Sequence, residues 1–356
     1  MKKVIFISAI ALAAAVSCTK SEVVDTKFNE QIGFETYLGR DAQTKATPVA
    51  TDDLTQVFVY GYYTGTTRWS DASEANLWSP MTLACNKGTC TVGQNDVRYW
   101  ANDSDLYTFL AYAPATIENV LSVAAVDGKN PTLTYTVPSA LADQKDVLYA
   151  VPQVNRTKDN GTVALQMKHA LARLTVKAKV NAATPFNYHV KSVVLGGNFN
   201  TTGSLVLANQ ETATTWTSLT KTDVDYTFYT NAAKATEAGA TPLTVEGVDY
   251  AGANNYLMMI PTDCSAEGAA ATLTVVYSTY AGGIESIDYT KTFPVNTNFE
   301  AGKAYAIALE FVQAQNNEIK FSVSVDDWDE DTTPQIEYPA GGKPTTEEPE
   351  DETPQE

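Results

Sequence analysis

Cys18 is the residue whose setting points most directly to chemistry. Met1-Lys2-Lys3 is a short cationic start, followed by a 13-residue apolar run from Val4 to Val16 and then Ser17. Such a run is too short to cross a bilayer as a helix, which takes about 20 residues. It has the length of the apolar region of a secretory signal. A cysteine directly behind small residues suits lipoprotein processing. There the thiol is diacylated, residues 1–17 are removed, and Cys18 becomes a lipidated N-terminus on a membrane surface. The position three before it is Ala15 rather than the commoner Leu. The alternative is an ordinary export signal with an incidental cysteine. Either way the mature chain works outside the cytoplasm.

Three more thiols follow. Cys85 and Cys90 bracket Asn86-Lys87-Gly88-Thr89, a turn-like tetrapeptide. In an oxidising compartment they can staple a hairpin; two unpaired loop thiols are the alternative. Cys264 is left over and reads as a small buried residue.

Catalytic constellations have little support, and the chain reads as a non-enzyme without cofactor or metal. His169 and His189 are its two histidines, without H-E-x-x-H spacing, and no C-x-x-C pair occurs. His169 in KHALARL reads as structural. No G-x-S-x-G elbow is present. Asp326 and Asp327 are adjacent in a strand pattern, so they point to opposite faces and cannot converge as a glycosidase pair unless a partner comes from elsewhere. The 19 Tyr and 5 Trp permit stacking on sugars. Most of these aromatics fall at alternating strand positions, where core packing explains them.

Charge narrows the partners. The formal net charge is −18, and removing Lys2 and Lys3 with the signal brings the mature chain near −20. Residues 329–356 hold ten acidic side chains against Lys343 alone. The rest is only mildly acidic, so nucleic-acid binding has no electrostatic support. The Pro-, Gly-, Thr- and Glu-rich end is expected to be a disordered acidic tail, because it buries too little apolar surface to offset its ordering entropy.

The elements that must position these residues are strands. Thr, Val, Tyr and Ala abound, and period-2 patterns recur. Residues 31–38 place Ile32, Phe34, Thr36 and Leu38 on one face. Strand patterns follow at 56–63, 96–100, 106–114, 132–138 and 146–152. A second series runs through 163–180, 189–197, 203–208, 226–230, 255–261, 271–280, 304–311 and 318–328. The start of the 163–180 stretch is also compatible with a short helix. Ile319, Phe321, Val323 and Val325 alternate with Lys320, Ser322, Ser324 and Asp326, a one-faced strand. Many short strands between turn signals predict β-sandwiches. A boundary near residue 165 divides the mature chain into two all-β halves, 46–165 and 166–328. Residues 39–53 are small, polar and rich in breakers, so they read as an exposed loop, and Arg40 and Lys45 are its two basic residues.

Several stretches together resemble the fimbrillin family of Bacteroidales, the subunits of type V pili. They are the lipoprotein signal, IGFETYLGRDAQTKA, VFVYGYY, YW with YTFLAYAP, LQMKHALARLTVKAKV and the closing VSVDDW. The resemblance spans nearly all of residues 1–328; the acidic tail is not a general feature of that family. It implies two tandem transthyretin-like β-sandwich domains. It also implies a precursor held in the outer membrane by its lipid anchor, and a role in cell adhesion toward a host or bacterial ligand. A trypsin-like protease is then expected to cut after Arg40 or Lys45, making 18–45 a propeptide that carries the first strand. Loss of Ile32, Phe34 and Leu38 would open a groove, filled by the Ile319, Phe321, Val323 and Val325 strand of another subunit. A monomeric surface lipoprotein that binds carbohydrate or protein is the alternative.

Overall fold

Alternation of side chains, rather than continuous apolar runs, builds most of this chain, and it yields strands with one buried face. The computed structural model describes residues 30–38, 54–125, 129–181, 187–208, 215–231, 242–244, 246–250, 256–266, 271–281, 284–312 and 319–328. Within them the protein is all-β, with two single-turn 3-10 segments at Leu141–Asp143 and Lys158–Asn160.

The strands in chain order begin with β1 (Phe34–Leu38), β2 (Gln56–Gly65), β3 (Trp78–Asn86), β4 (Thr89–Val92) and β5 (Leu106–Ala113). Next come β6 (Leu121–Ala125), β7 (Pro131–Thr136), β8 (Leu148–Ala150), β9 (Gln153–Arg156), β10 (Val163–His169) and β11 (Ala172–Val180). They continue with β12 (Asn187–Val206), β13 (Trp216–Thr230), β14 (Val248–Asp249), β15 (Leu257–Met259), β16 (Thr262–Asp263) and β17 (Ala271–Ala281). The last are β18 (Ile284–Glu285), β19 (Tyr289–Val295), β20 (Asn298–Phe299), β21 (Lys303–Phe311) and β22 (Ile319–Asp327).

Seven strands close a ring. The order is β2-β3-β4-β1-β10-β8-β5, and β5 pairs back to β2; β9 adds to β5. Closure removes the open edges that a sheet of this length would otherwise present. Phe34, Val59, Leu83, Trp100, Phe109 and Leu165 are among the side chains that pack together as this unit's core.

The other strands form a sandwich. One sheet runs β14-β11-β21-β22, with β15 also on β11; the other runs β18-β17-β12-β7-β6, with β13 on β12 and β19 on β17. The sheets meet through ring contacts such as Phe311 with Tyr188 and Tyr277, both at 5.1 Å, and Phe293 with Phe321, stacked at 5.1 Å.

Position 165 lies inside β10, a strand of the ring, and the chain passes to the sandwich at β11. The β6–β7 hairpin comes from the first half of the sequence but pairs with β12. Tyr60, Tyr62, Leu110 and Tyr112 of the ring also pack into the sandwich core.

Local expectations are corrected at three places. The start of the 163–180 stretch is strand β10, not helix, because Val163, Leu165, Met167 and His169 all turn inward at period 2. Residues 96–100 make no regular strand. Tyr99 forms a lone bridge with Gln31, while Trp100 is buried. The two strands expected at 189–197 and 203–208 are one bulged strand, β12.

Candidate functional site

β1 lies inside the ring with a partner on each side. It runs parallel to β10, from Phe34 opposite Val163 to Leu38 opposite Met167. It runs antiparallel to β4, with Phe34 opposite Cys90. Loop bonds extend this hold. Ile32 N–H donates to Arg98 O at 3.0 Å, and Thr36 N–H donates to Gly88 O at 2.8 Å. Ile32 is 0% exposed, Phe34 3% and Leu38 6%. Phe34 meets Phe109 and Trp78 edge-on at 5.3 and 5.8 Å. Burying these three side chains contributes about 5–9 kcal/mol, at roughly 1.5–3 each, before ordering entropy is subtracted. Thr36 completes the inward face, at 1% exposure.

The Cys85–Cys90 hairpin clasps this strand. The two residues face each other across β3 and β4, with Cα atoms 4.1 Å apart and sulfurs at bonding distance. Cys90 Sγ also lies 3.6 Å from Thr36 Oγ1. Gly88 at the hairpin tip has φ +81°, and a Cβ there would come within 2.8 Å of Thr36 O. Glycine is therefore required both by the backbone and by the close approach of β1.

β22 is held differently. It is an edge strand with one described ladder, antiparallel to β21, from Phe311 opposite Ile319 to Lys303 opposite Asp327. Ile319 is buried and Phe321 and Val323 are half-buried, but Val325 is 54% exposed. The expected four-residue inward face is thus graded, burying least toward Val325. Ion pairs tie the strand laterally: Lys303 with Asp327, and Lys320 with the buried Glu310 at 3.7 Å.

Leu38 at the end of β1 and Trp328, directly after β22, line one cavity of about 520 Å³. Asp146, His169 and Arg173 line it too. The Asp146 carboxylate lies 2.6 Å from His169 Nδ1, whose N–H donates to it. His169 stacks on Trp328 at 4.0 Å and 5° between planes. The Arg173 guanidinium sits 5.0 Å from the Trp328 ring centroid and 4.8 Å from that of Tyr256. Asp146 carried no signal in sequence, since it belongs to no spaced motif, whereas Arg173 lies with His169 in KHALARL. Only KHALARL and the closing DDW pointed here.

Cys264 is fully buried, and burial pushes its thiol pKa up. His189 is buried too, and desolvation is the main cause lowering its pKa; Glu285 opposes the shift and Lys191 adds to it. Among the described residues no cluster of three or more His, Cys, Asp or Glu is arranged to hold a metal. The exposed aromatics among them are Tyr63 and Tyr99, so the sugar-stacking faces that the tyrosine content allowed are largely interior. Cys18, Arg40 and Lys45 lie outside the described residues, as do the signal 1–17 and the tail 329–356.

Residues 44–328 match the profile of the fimbrillin-like family. The chain belongs to that family. The fimbrium subunit Fim1C of Phocaeicola vulgatus is 24% identical over 211 residues, 52% of this chain and 54% of that protein. The match thus spans about half the length of that relative. A crystal structure of a fimbrial protein from Bacteroides vulgatus superposes over 85% of this fimbrillin-like chain and 100% of its own, with a TM-score of 0.64 at 17% identity. At that identity the likeness is one of fold.

Proposed function

We propose that this fimbrillin-like protein is a structural subunit of a fimbrium, serving cell adhesion and polymerised by strand exchange. It is exported, anchored in the outer membrane through lipidated Cys18, cut after Arg40 or Lys45 by a trypsin-like protease, and released into the growing fibre. Residues 18–45 are the propeptide, and the ring and the sandwich are the two working domains.

The observation that carries this reading is the seat of β1. It is the one ring strand joined to the next by a breaker-rich segment with two basic residues, Arg40 and Lys45. Its withdrawal leaves β4 and β10 with unpaired edges around an apolar slot, a state that proteins cover. β22 suits the slot as a donor. At home it has one ladder and half-exposed apolar residues; in the slot it would have two ladders. Deeper burial of Phe321, Val323 and Val325 offers roughly 2–5 kcal/mol, taking about half the value of full burial, before docking costs. The contact is head-to-tail, so it propagates an open fibre rather than closing a dimer.

Limited trypsin treatment of the purified precursor tests this. A new N-terminus at Asp41 or Ala46, followed by a ladder of denaturant-resistant oligomers, is the expected result. A cut protein that stays monomeric at high concentration overturns strand exchange.

A further inference from the structure

We infer that the stack of Asp146, His169, Trp328 and Arg173 is a latch on the C-terminal strand, held closed by β1 acting through β10. This rests on reading β1 as the displaced strand and β22 as the donor.

β22 is most deeply buried at its two ends. Its middle has one ladder among the described residues and half-buried side chains, whereas Ile319 is 9% and the following Trp328 6% exposed. Freeing the strand therefore requires freeing Trp328. That residue is fixed by its backbone as well as its ring. Its N–H donates to Gly302 O at 2.9 Å, and Gly302 N–H donates to Leu171 O at 2.9 Å. Gly302 has φ +69°, and a Cβ there would lie 3.7 Å from His169 O, so this turn is folded against the end of β10.

His169 is the hinge of the arrangement. Its ring is set by Asp146 and its backbone by β10. β10 is paired to β8, with His169 opposite Leu148, and to β1, with Met167 opposite Leu38. Withdrawing β1 strips one of these two ladders from β10, two residues before the imidazole. It also removes Leu38 from the wall of the cavity that His169, Arg173 and Trp328 line. The cavity then opens on the Leu38 side as well, and water competes more strongly for the part-buried Asp146–His169 bond. The ring loses its orientation, the stack on Trp328 loosens, and β22 opens more often. Propeptide loss would thus make the slot and ready the donor in one event. The cavity is a poor sugar site by the same geometry, because the Trp328 ring is already covered by His169 and Arg173.

Hydrogen exchange of residues 319–328, followed by mass spectrometry on the full uncut chain, reads the latch directly. His169→Ala should speed that exchange about tenfold, whereas His169→Phe, which keeps a stacking ring, should stay closer to the wild type. Ile32→Ala/Phe34→Ala, which loosens β1 at residues that do not line the cavity of the stack, should also speed it. Leu83→Ala perturbs the same ring core from β3, away from β10, and should leave residues 319–328 protected. Unchanged exchange in Ile32→Ala/Phe34→Ala, or equal acceleration in Leu83→Ala, overturns the latch. Oligomer ladders are scored separately on trypsin-cut wild type. Faster β22 exchange without ladders sinks strand exchange and leaves the latch standing; ladders with unchanged exchange sink the latch alone.

Discussion

Phe34→Ala tests most directly whether β1 is a separable plug. Phe34 is 3% exposed and touches Phe109 and Trp78 edge-on, so truncation leaves a cavity that two large rings cannot fill without moving. Phe→Ala at such a site costs about 3–5 kcal/mol. The cost falls on the docking of β1, because the six remaining ring strands keep their own pairings. After trypsin cuts behind β1, the fragment is held by noncovalent contacts alone. Its affinity should then fall by roughly two to three and a half decades, at about 1.36 kcal/mol per decade. The assay is dissociation of the fragment from the cut protein, followed by size-exclusion chromatography with mass detection. Oligomer ladders should appear sooner in the cut variant than in the cut wild type, and not at all in the uncut variant. A fragment affinity that changes less than tenfold would refute the plug. So would global unfolding of the cut protein, since β1 would then be inseparable from the ring.

Gly88→Ala should push the Cys85–Cys90 hairpin off β1, at about 1–3 kcal/mol for a left-handed non-glycine residue in a tight contact; amide exchange at Thr36 reads it, and unchanged exchange there counts against the clasp. Replacing Phe321 and Val323 together with Asp should abolish ladders while leaving trypsin cleavage intact, because unpaired buried carboxylates are costly; circular dichroism must show the monomer folded, and ladders from a folded double variant exclude β22 as donor. Cys18→Ala should abolish acyl labelling and membrane association of the precursor; a labelled variant refutes the anchor. Stability should fall above pH about 10 and keep falling toward about 12, because burial pushes the Tyr226 and Tyr277 pKa values up to about 12. The stabilisation is fully present below the unfolded pKa and is lost as pH rises through the folded one. Phenolate absorbance tracked beside denaturant midpoints checks this, and flat midpoints over that range refute it.

The amino-acid pattern alone established an all-β chain and the positions of its most strongly alternating strands, though not β3, β4, β6, β9 or β19. Period 2 at 32–38, 172–180 and 319–325 is a local property, set by the pleat, and it needs no knowledge of a partner. The pairing of Cys85 with Cys90 was legible as an option, because a tetrapeptide turn places its flanks opposite each other. Tertiary structure decided which strand meets which. β1 finds β10 across more than a hundred residues, β6–β7 leaves its neighbours for β12, and β5 closes the ring onto β2. Alternation specifies a face but not a neighbour, so these long-range choices are silent in any local window. The same holds for the junction. His169 and Arg173 share one short segment, but only the folded chain sets Asp146 and Trp328 against them to make one stack.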